Sequence, residues 1–329
     1  MRKVFMPLFI VFMLIIAACG SNNTTNNPSS NTSISNATTS NSNNNSANNS
    51  EQEAASTEPQ MVTYQSENGP IEVPANPQRV VMLSSGYVGN VLALGVPVVG
   101  VDSWAVGSSL FTNQLKDVAI ISEDDVEGVL NLEPDLIIAS STTANLEKFK
   151  EIAPTITYTY NALDYLSQHV EIGKLVGKEA EAQGWVDDFK ARAKQAGQDV
   201  KAKHGNDVTV TVIEHYAKQM AVFGNNWGRG TEVLYQEMGL GMTEKVAEMA
   251  LADGYYALSV EVLPQYAGDF IVLSNDGSDN SFKETDTFKN IPAVSSGHVI
   301  EANAADFFFN DPITLEFQLQ LFIDGFLGN

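Results

Sequence analysis

Short apolar runs alternate with helix-patterned stretches through most of the chain, and that alternation predicts an α/β architecture. Arg79 to Ser84, Val96 to Val101, Asp135 to Ser140 and Thr155 to Tyr160 read as strands. Their near-continuous apolar character suits a sheet covered on both faces. Val88 to Leu94 carries a helical pattern that stops at Gly95. From Asp164 to about Lys203 no proline interrupts a stretch rich in Ala, Lys, Glu and Gln. That is long for a globular helix, so breaks are expected near Gly177 and Gly184, leaving a stiff connector over 164–204. Strand patterns resume at Val208–Tyr216, Gln219–Phe223, Asp269–Ser274 and His298–Ala302, and an amphipathic helix from Asp311 to Leu327 closes the pattern.

The two halves echo each other. Asp125-Val126-Glu127 precedes Asp135, which opens a strand eight residues after the glutamate. Ser259-Val260-Glu261 precedes Asp269 with the same spacing. Each reads as an N-cap, a glutamate in the first helical turn, a short helix and a buried strand. Two α/β lobes on one plan, 61–163 and 205–329, would leave a cleft between them.

The first sixty residues have a different character. Met1-Arg2-Lys3 is basic, Val4 to Ala18 is apolar but short for a membrane span, and Ile16-Ala17-Ala18-Cys19-Gly20 sets small residues before a lone cysteine. This reads as a lipoprotein signal over 1–19 with Cys19 as the lipidation site. Two acyl chains or more would hold the protein at the membrane, where one alone is marginal. The stretch 20–60 is mostly Asn, Ser and Thr and reads as a disordered tether, about 35 Å root-mean-square as a flexible coil. With Cys19 the sole cysteine, the rest of the chain has no disulfide or cysteine-based metal site.

A formal net charge of −22, from 18 Lys and Arg against 40 Asp and Glu, argues against nucleic acid as a partner and against electrostatic attachment to anionic lipid. His169, His204, His215 and His298 lack metal-ligand spacing, so no metal site or cofactor is expected. A hydrolase would need a paired nucleophile and base, and a reductase a cofactor site; neither can be assembled from the motifs. The chain is expected not to be an enzyme.

Several phrases occur in a telling order: Asn76-Pro77-Gln78-Arg79-Val80-Val81, Val91 to Gly100, Asn131-Leu132-Glu133-Pro134-Asp135, Ser259 to Pro264, Ile291-Pro292-Ala293-Val294 and Asn310-Asp311-Pro312. Together they resemble the solute-binding proteins of ABC importers for iron-siderophores and cobalamin, from about Gln78 onward. The resemblance implies a class III periplasmic-binding-protein-like fold: two Rossmann-like lobes with central β-sheets, joined by a long backbone helix. It also implies a shallow interlobe cleft with small hinge motion, an ABC permease as partner, and one permease-docking glutamate per lobe, here Glu127 and Glu261. The chain would act as a monomer on the extracytoplasmic face of the cell membrane of a Gram-positive organism.

Phe223-Gly224-Asn225-Asn226-Trp227-Gly228-Arg229-Gly230-Thr231 is the most informative local feature. A loop this rich in Gly and Asn should be exposed, yet it carries a flat aromatic and a fork of donors for ligand oxygens. It resembles the Trp-x-Arg of Gram-positive ferric-hydroxamate-binding lipoproteins. Trp227 and Arg229 are therefore the lead ligand contacts, with Tyr87, Trp104 and Tyr255 as further candidates near strand ends. One of Phe307, Phe308 and Phe309 could also face the cleft. Arginine is scarce: Arg2, Arg79, Arg192 and Arg229 make the full set. A neutral iron(III) tris-hydroxamate needs fewer cations than a catecholate or citrate complex, so a ferric hydroxamate siderophore is the expected ligand. The alternative is the same fold with a catecholate or citrate siderophore, haem or cobalamin.

Overall fold

The computed structural model describes residues 60–328. The signal segment, Cys19 and the tether up to residue 59 lie outside them. An antiparallel hairpin, β1 (Met61–Ser66) and β2 (Gly69–Pro74), opens the described chain. Sequence patterning did not reveal it: mainly Tyr64 and Val73 are buried, so its apolar face is narrow.

The amino-terminal lobe is a five-stranded parallel sheet. Its strands are β3 (Val80–Met82), β4 (Val98–Val101), β5 (Ala119–Ile120), β6 (Leu136–Ser140) and β7 (Thr155–Tyr158), in the spatial order β5-β4-β3-β6-β7. Helices α1 (Ser85–Ala93), α2 (Thr112–Leu115), α3 (Val126–Asn131) and α4 (Leu146–Lys150) lie in the connections. The connector is α5 (Tyr165–Leu175) and α6 (Glu179–His204). The carboxy-terminal sheet follows the same order, β11-β9-β8-β12-β13, from β8 (Thr209–Tyr216), β9 (Gln219–Phe223), β11 (Tyr255–Leu258), β12 (Phe270–Asn275) and β13 (Val299–Asn303). A two-residue β10 (Gly241–Met242) pairs with the start of β8. Here β9 runs antiparallel to both its neighbours, β8 and β11, whereas all five strands of the first sheet are parallel. Helices α7 (Glu244–Ala250), α8 (Asp286–Lys289), α9 (Pro292–Ser295) and α10 (Pro312–Leu327) complete the lobe.

Both sheets are covered on both faces, as the apolar runs predict. Along β6, Leu136 and Ile138 pack into one cluster and Ile137 and Ala139 into another. Along β12, Phe270 and Val272 do the same against Ile271 and Leu273. The sequence echo corresponds to a real equivalence. Asp135 accepts hydrogen bonds from the backbone N–H of Gln78 and Arg79 at 2.6 and 2.9 Å. Asp269 likewise accepts from the N–H of Thr209 at 2.8 Å. Each aspartate fastens the start of one central strand to the start of its neighbour.

The connector breaks at Gly177, which adopts φ +72° where a side chain would collide with the Ala75 carbonyl. It does not break at Gly184: α6 continues through it for 26 residues, about 39 Å. An exposed helical glycine costs about 1 kcal/mol, and the buried stripe of Ala182, Val186, Phe189, Ala193 and Val200 outweighs it. Ala182 packs with the first lobe's core and Val186 onward with the second's, so α6 joins the two. The expected helix after Ser259 also fails to form. Pro264 cannot donate the i→i−4 bond, and only a 3₁₀ turn over Leu263–Gln265 remains. In the first lobe Asp125 does cap α3, accepting from Gly128 N–H at 2.8 Å.

Candidate functional site

Two cavities open where the lobes meet, beyond the carboxyl ends of parallel strands, the usual ligand position in open α/β sheets. The smaller, about 120 Å³, lies past β3, β6 and β7 and includes Ser84, Tyr87, Ser140, Tyr160, Asn226 and Asn310. The larger, about 400 Å³, lies past β4, β8, β12 and β13 and includes Ser103, Trp104, Tyr216, Asp276, Asn303 and Phe308. Each draws residues from both lobes.

The loop from Gly224 to Thr231 links them. Because β9 is antiparallel, this loop does not leave from the carboxyl edge of the parallel strands, as its strand–helix setting suggests. It crosses instead over the sheet face that carries Glu214. Gly228, Arg229 and Gly230 all have positive φ, at 69°, 59° and 78°. A left-handed arginine costs about 1–2 kcal/mol, so surrounding contacts must fix it. Arg229 N–H donates to the Phe307 carbonyl at 3.0 Å. Buried Glu232 accepts from Gly228 N–H at 2.8 Å and from the Thr231 hydroxyl at 3.0 Å. Burial raises the Glu232 carboxyl above its ordinary pKa, against the opposing pull of those hydrogen bonds. The segment after Thr231 is a π-helix over Glu232–Glu237, a wider turn often found at functional sites.

The Arg229 guanidinium is not free. Its Nε and Nη2 donate to the two oxygens of Glu214, at 3.0 and 3.2 Å, and Nη1 donates to the Trp227 carbonyl at 3.1 Å. Three of its five N–H groups are engaged, and two remain for a ligand. The group also lies 5.1 Å from the Phe223 ring centroid and 4.9 Å from that of Phe308. Glu214 is 7 % exposed, so the charge on Arg229 is offset from within the lobe.

Trp227 is half-buried. Tyr255 lies beside it with centroids 5.7 Å apart, and Tyr160, from the opposite lobe, meets it edge-on at 6.2 Å. Trp104 follows the end of β4, is 56 % exposed and lies 5.5 Å from Phe308. Tyr216 approaches Phe308 at 5.4 Å. The site thus brings Trp227, Arg229, Trp104 and Tyr255 to one cleft. Tyr87 differs: it is buried, packs edge-on against Tyr158 and reaches the smaller cavity from below. Burial raises its phenol to about 12. Of the three consecutive phenylalanines, Phe308 faces the cleft, while Phe307 lies in the second lobe's core and Phe309 stacks on Phe111 of the first lobe. Glu127 and Glu261 are both exposed, away from these cavities.

Sequence reasoning missed Glu214, Tyr160 and Asp276. Glu214 had a signal: it is a lone acid inside the apolar run of β8, and a charge there needs a partner. Tyr160 falls inside the run read as a strand, whereas β7 ends at Tyr158 and leaves it at the cleft, and Asp276 follows β12 in a loop whose acid reads as an ordinary surface charge.

A family model described as periplasmic binding protein matches residues 80–305. The chain is 34 % identical over 270 residues to the iron(3+)-hydroxamate-binding protein FhuD of Bacillus subtilis, covering 80 % of this chain and 85 % of that one. It is 31 % identical over 281 residues to the iron(3+)-hydroxamate-binding protein YxeB of the same organism, covering 82 % and 87 %. Among solved structures, FhuD2 from Staphylococcus aureus with bound ferrioxamine B superposes with a TM-score of 0.72 at 32 % identity, over 77 % of this chain and 99 % of that one.

Proposed function

The chain belongs to the periplasmic binding protein family, and from that premise we propose that it captures ferric hydroxamate siderophores in the interlobe cleft for delivery to an ABC permease. The observation that carries the cargo class is the cleft's charge: its arginine is offset by Glu214 inside the same lobe. A neutral iron(III) tris-hydroxamate meets flat aromatic surface there, plus two free guanidinium N–H groups for its oxygens. A strongly anionic chelate would meet no surplus cation from that pair. Relatives named for iron(3+)-hydroxamate binding support the same cargo.

The protein binds and releases without turnover, and iron arrives already chelated. Glu127 and Glu261 serve as the permease-docking pair. Lipidation of Cys19 tethers the protein at the outer face of the membrane, a reading supported by the signal pattern and by a relative named as a siderophore-binding lipoprotein.

The test is a tryptophan-fluorescence titration of the domain from Glu58 onward with ferric hydroxamate, catecholate and citrate chelates and haem. Strong quenching by hydroxamates alone is expected, because bound iron chelate lies near Trp227 and Trp104. Preferential binding of catecholate or citrate would overturn the cargo class, and no binding by any ligand would overturn the siderophore reading.

A further inference from the structure

The larger cavity has a chemistry of its own. Three rings form its wall, with Trp104 and Tyr216 both packed on Phe308. Among the residues lining it, Asp276 carries the formal charge. That carboxylate is fixed in place: Oδ2 accepts from Ala217 N–H and Oδ1 from Ser278 N–H, at 2.8 and 2.9 Å. These hydrogen bonds, the Ala217 one foremost, hold its pKa near 2, so it is an anion at any working pH.

Of the nearby charges, His215 bears on it only as the weakest of the groups lowering its pKa, and among the described residues no cationic side chain bonds to it. Arg229 lies against Phe308 but is spent on Glu214. Lys218 and His215 line a separate pocket with Glu261. Asp306, beside the cavity, accepts from Ser108 and Ser109 of the other lobe and adds no cation. An ordered carboxylate among aromatic faces is a receptor for a positive group, since ring faces attract cations and the acid supplies the counter-charge.

We propose that this cavity is a cation subsite, taking a primary ammonium carried on the arm of the chelate, with Asp276 as counter-ion and Trp104, Tyr216 and Phe308 as walls. It rests on the reading that the cleft takes ferric hydroxamates. It refines the substrate class to those bearing a free amine. Iron and its hydroxamates would lie toward Arg229 and Trp227, and the amine arm would extend past Phe308.

The experiment compares a linear ferric tris-hydroxamate ending in a primary amine, such as ferrioxamine B, with the same chelate N-acetylated. Wild-type protein is expected to bind the free amine about tenfold tighter, the scale of one cation–π and charge contact. Asp276→Asn should reduce that ratio to about one, weakening the free amine's binding far more than the acetylated chelate's. Asp276 also anchors the β8–β9 turn, so Trp104→Leu, which leaves that turn intact, should independently shrink the ratio. Equal affinity for both chelates in wild-type protein overturns the ammonium subsite but keeps the hydroxamate reading. Binding of neither overturns both. An unchanged ratio in both variants overturns the assignment of these residues.

Discussion

At the scale of single residues, the pairing of Arg229 with Glu214 offsets the guanidinium charge beside the cleft, and on the proposed function it would favour neutral cargo. Removing one partner of a buried pair strands the other, so Glu214→Gln should cost roughly 2–3 kcal/mol, less than a fully buried pair because the Arg229 side chain is 20 % exposed. Thermal denaturation reads this directly. The same variant should bind ferric citrate more tightly than wild type does, since the guanidinium charge is no longer offset; unchanged citrate affinity would show that Glu214 has no part in selectivity. Arg229→Ala and Trp227→Ala should each weaken hydroxamate binding about 10- to 100-fold in the fluorescence titration, the scale of an interface anchor. Trp227 and Arg229 were legible in sequence, because a large aromatic and an arginine stand out in a loop of Gly and Asn. Their coupling to Glu214 was not. It depends on β9 turning back antiparallel, so that the loop crosses the sheet face, and strand patterns do not encode strand direction.

At the scale of elements, the connector shows where local rules hold and where packing overrides them. Both Gly177 and Gly184 are helix-weakening by propensity. Gly177 ends α5 because the chain turns left-handed against Ala75, while Gly184 rides within a helix whose buried face supplies far more than the glycine loses. Sequence carries the propensity and not the neighbour, so the two positions looked alike. The same element carries a pH dependence. His169 is buried in α5, bonded through Nδ1 to Asn90 at 3.1 Å and packed edge-on against Trp185. Desolvation lowers its pKa to about 4, against an ordinary value near 6.5. The folded state therefore takes up this proton less readily than the unfolded chain. The resulting stability is present above about pH 6.5 and is lost as pH falls toward 4, by on the order of 3 kcal/mol. Denaturant unfolding at pH 7 and pH 4.5 should show the loss, and His169→Gln should show a smaller one. An identical pH slope in the variant would place the effect on other groups.

At the scale of the whole molecule, the lobes are both repeated and fastened together. Ser109 N–H and its hydroxyl donate to Asp306 at 2.6 and 2.8 Å, Phe111 stacks on Phe309 at 5.8 Å, and α6 threads both cores. Such ties oppose a wide hinge opening, so ligand binding should change the radius of gyration in solution scattering by less than about 1 Å, whereas hinge-closing proteins move far more. The duplicated plan also bears on docking. Glu127 follows β5 and Glu261 follows β11, the outermost strands of two sheets with the same spatial order. Ile120 ends β5 at the carboxyl edge of its parallel sheet, and Leu258 ends β11 level with Met220, next to the carboxyl end of β8. Both glutamates therefore emerge on the cleft side, one per lobe, although one sits on a helix and the other on a turn. A permease engaging both would sense the two lobes at once, and a carboxylate on each is the natural partner for paired cations across a two-part interface. Glu127→Lys and Glu261→Lys should each lower siderophore uptake by cells several-fold, with the double variant lower still, while hydroxamate affinity of the isolated domain stays unchanged. Loss of affinity alongside uptake would assign these residues to the cleft's integrity, and full uptake by the double variant would remove them from the docking surface.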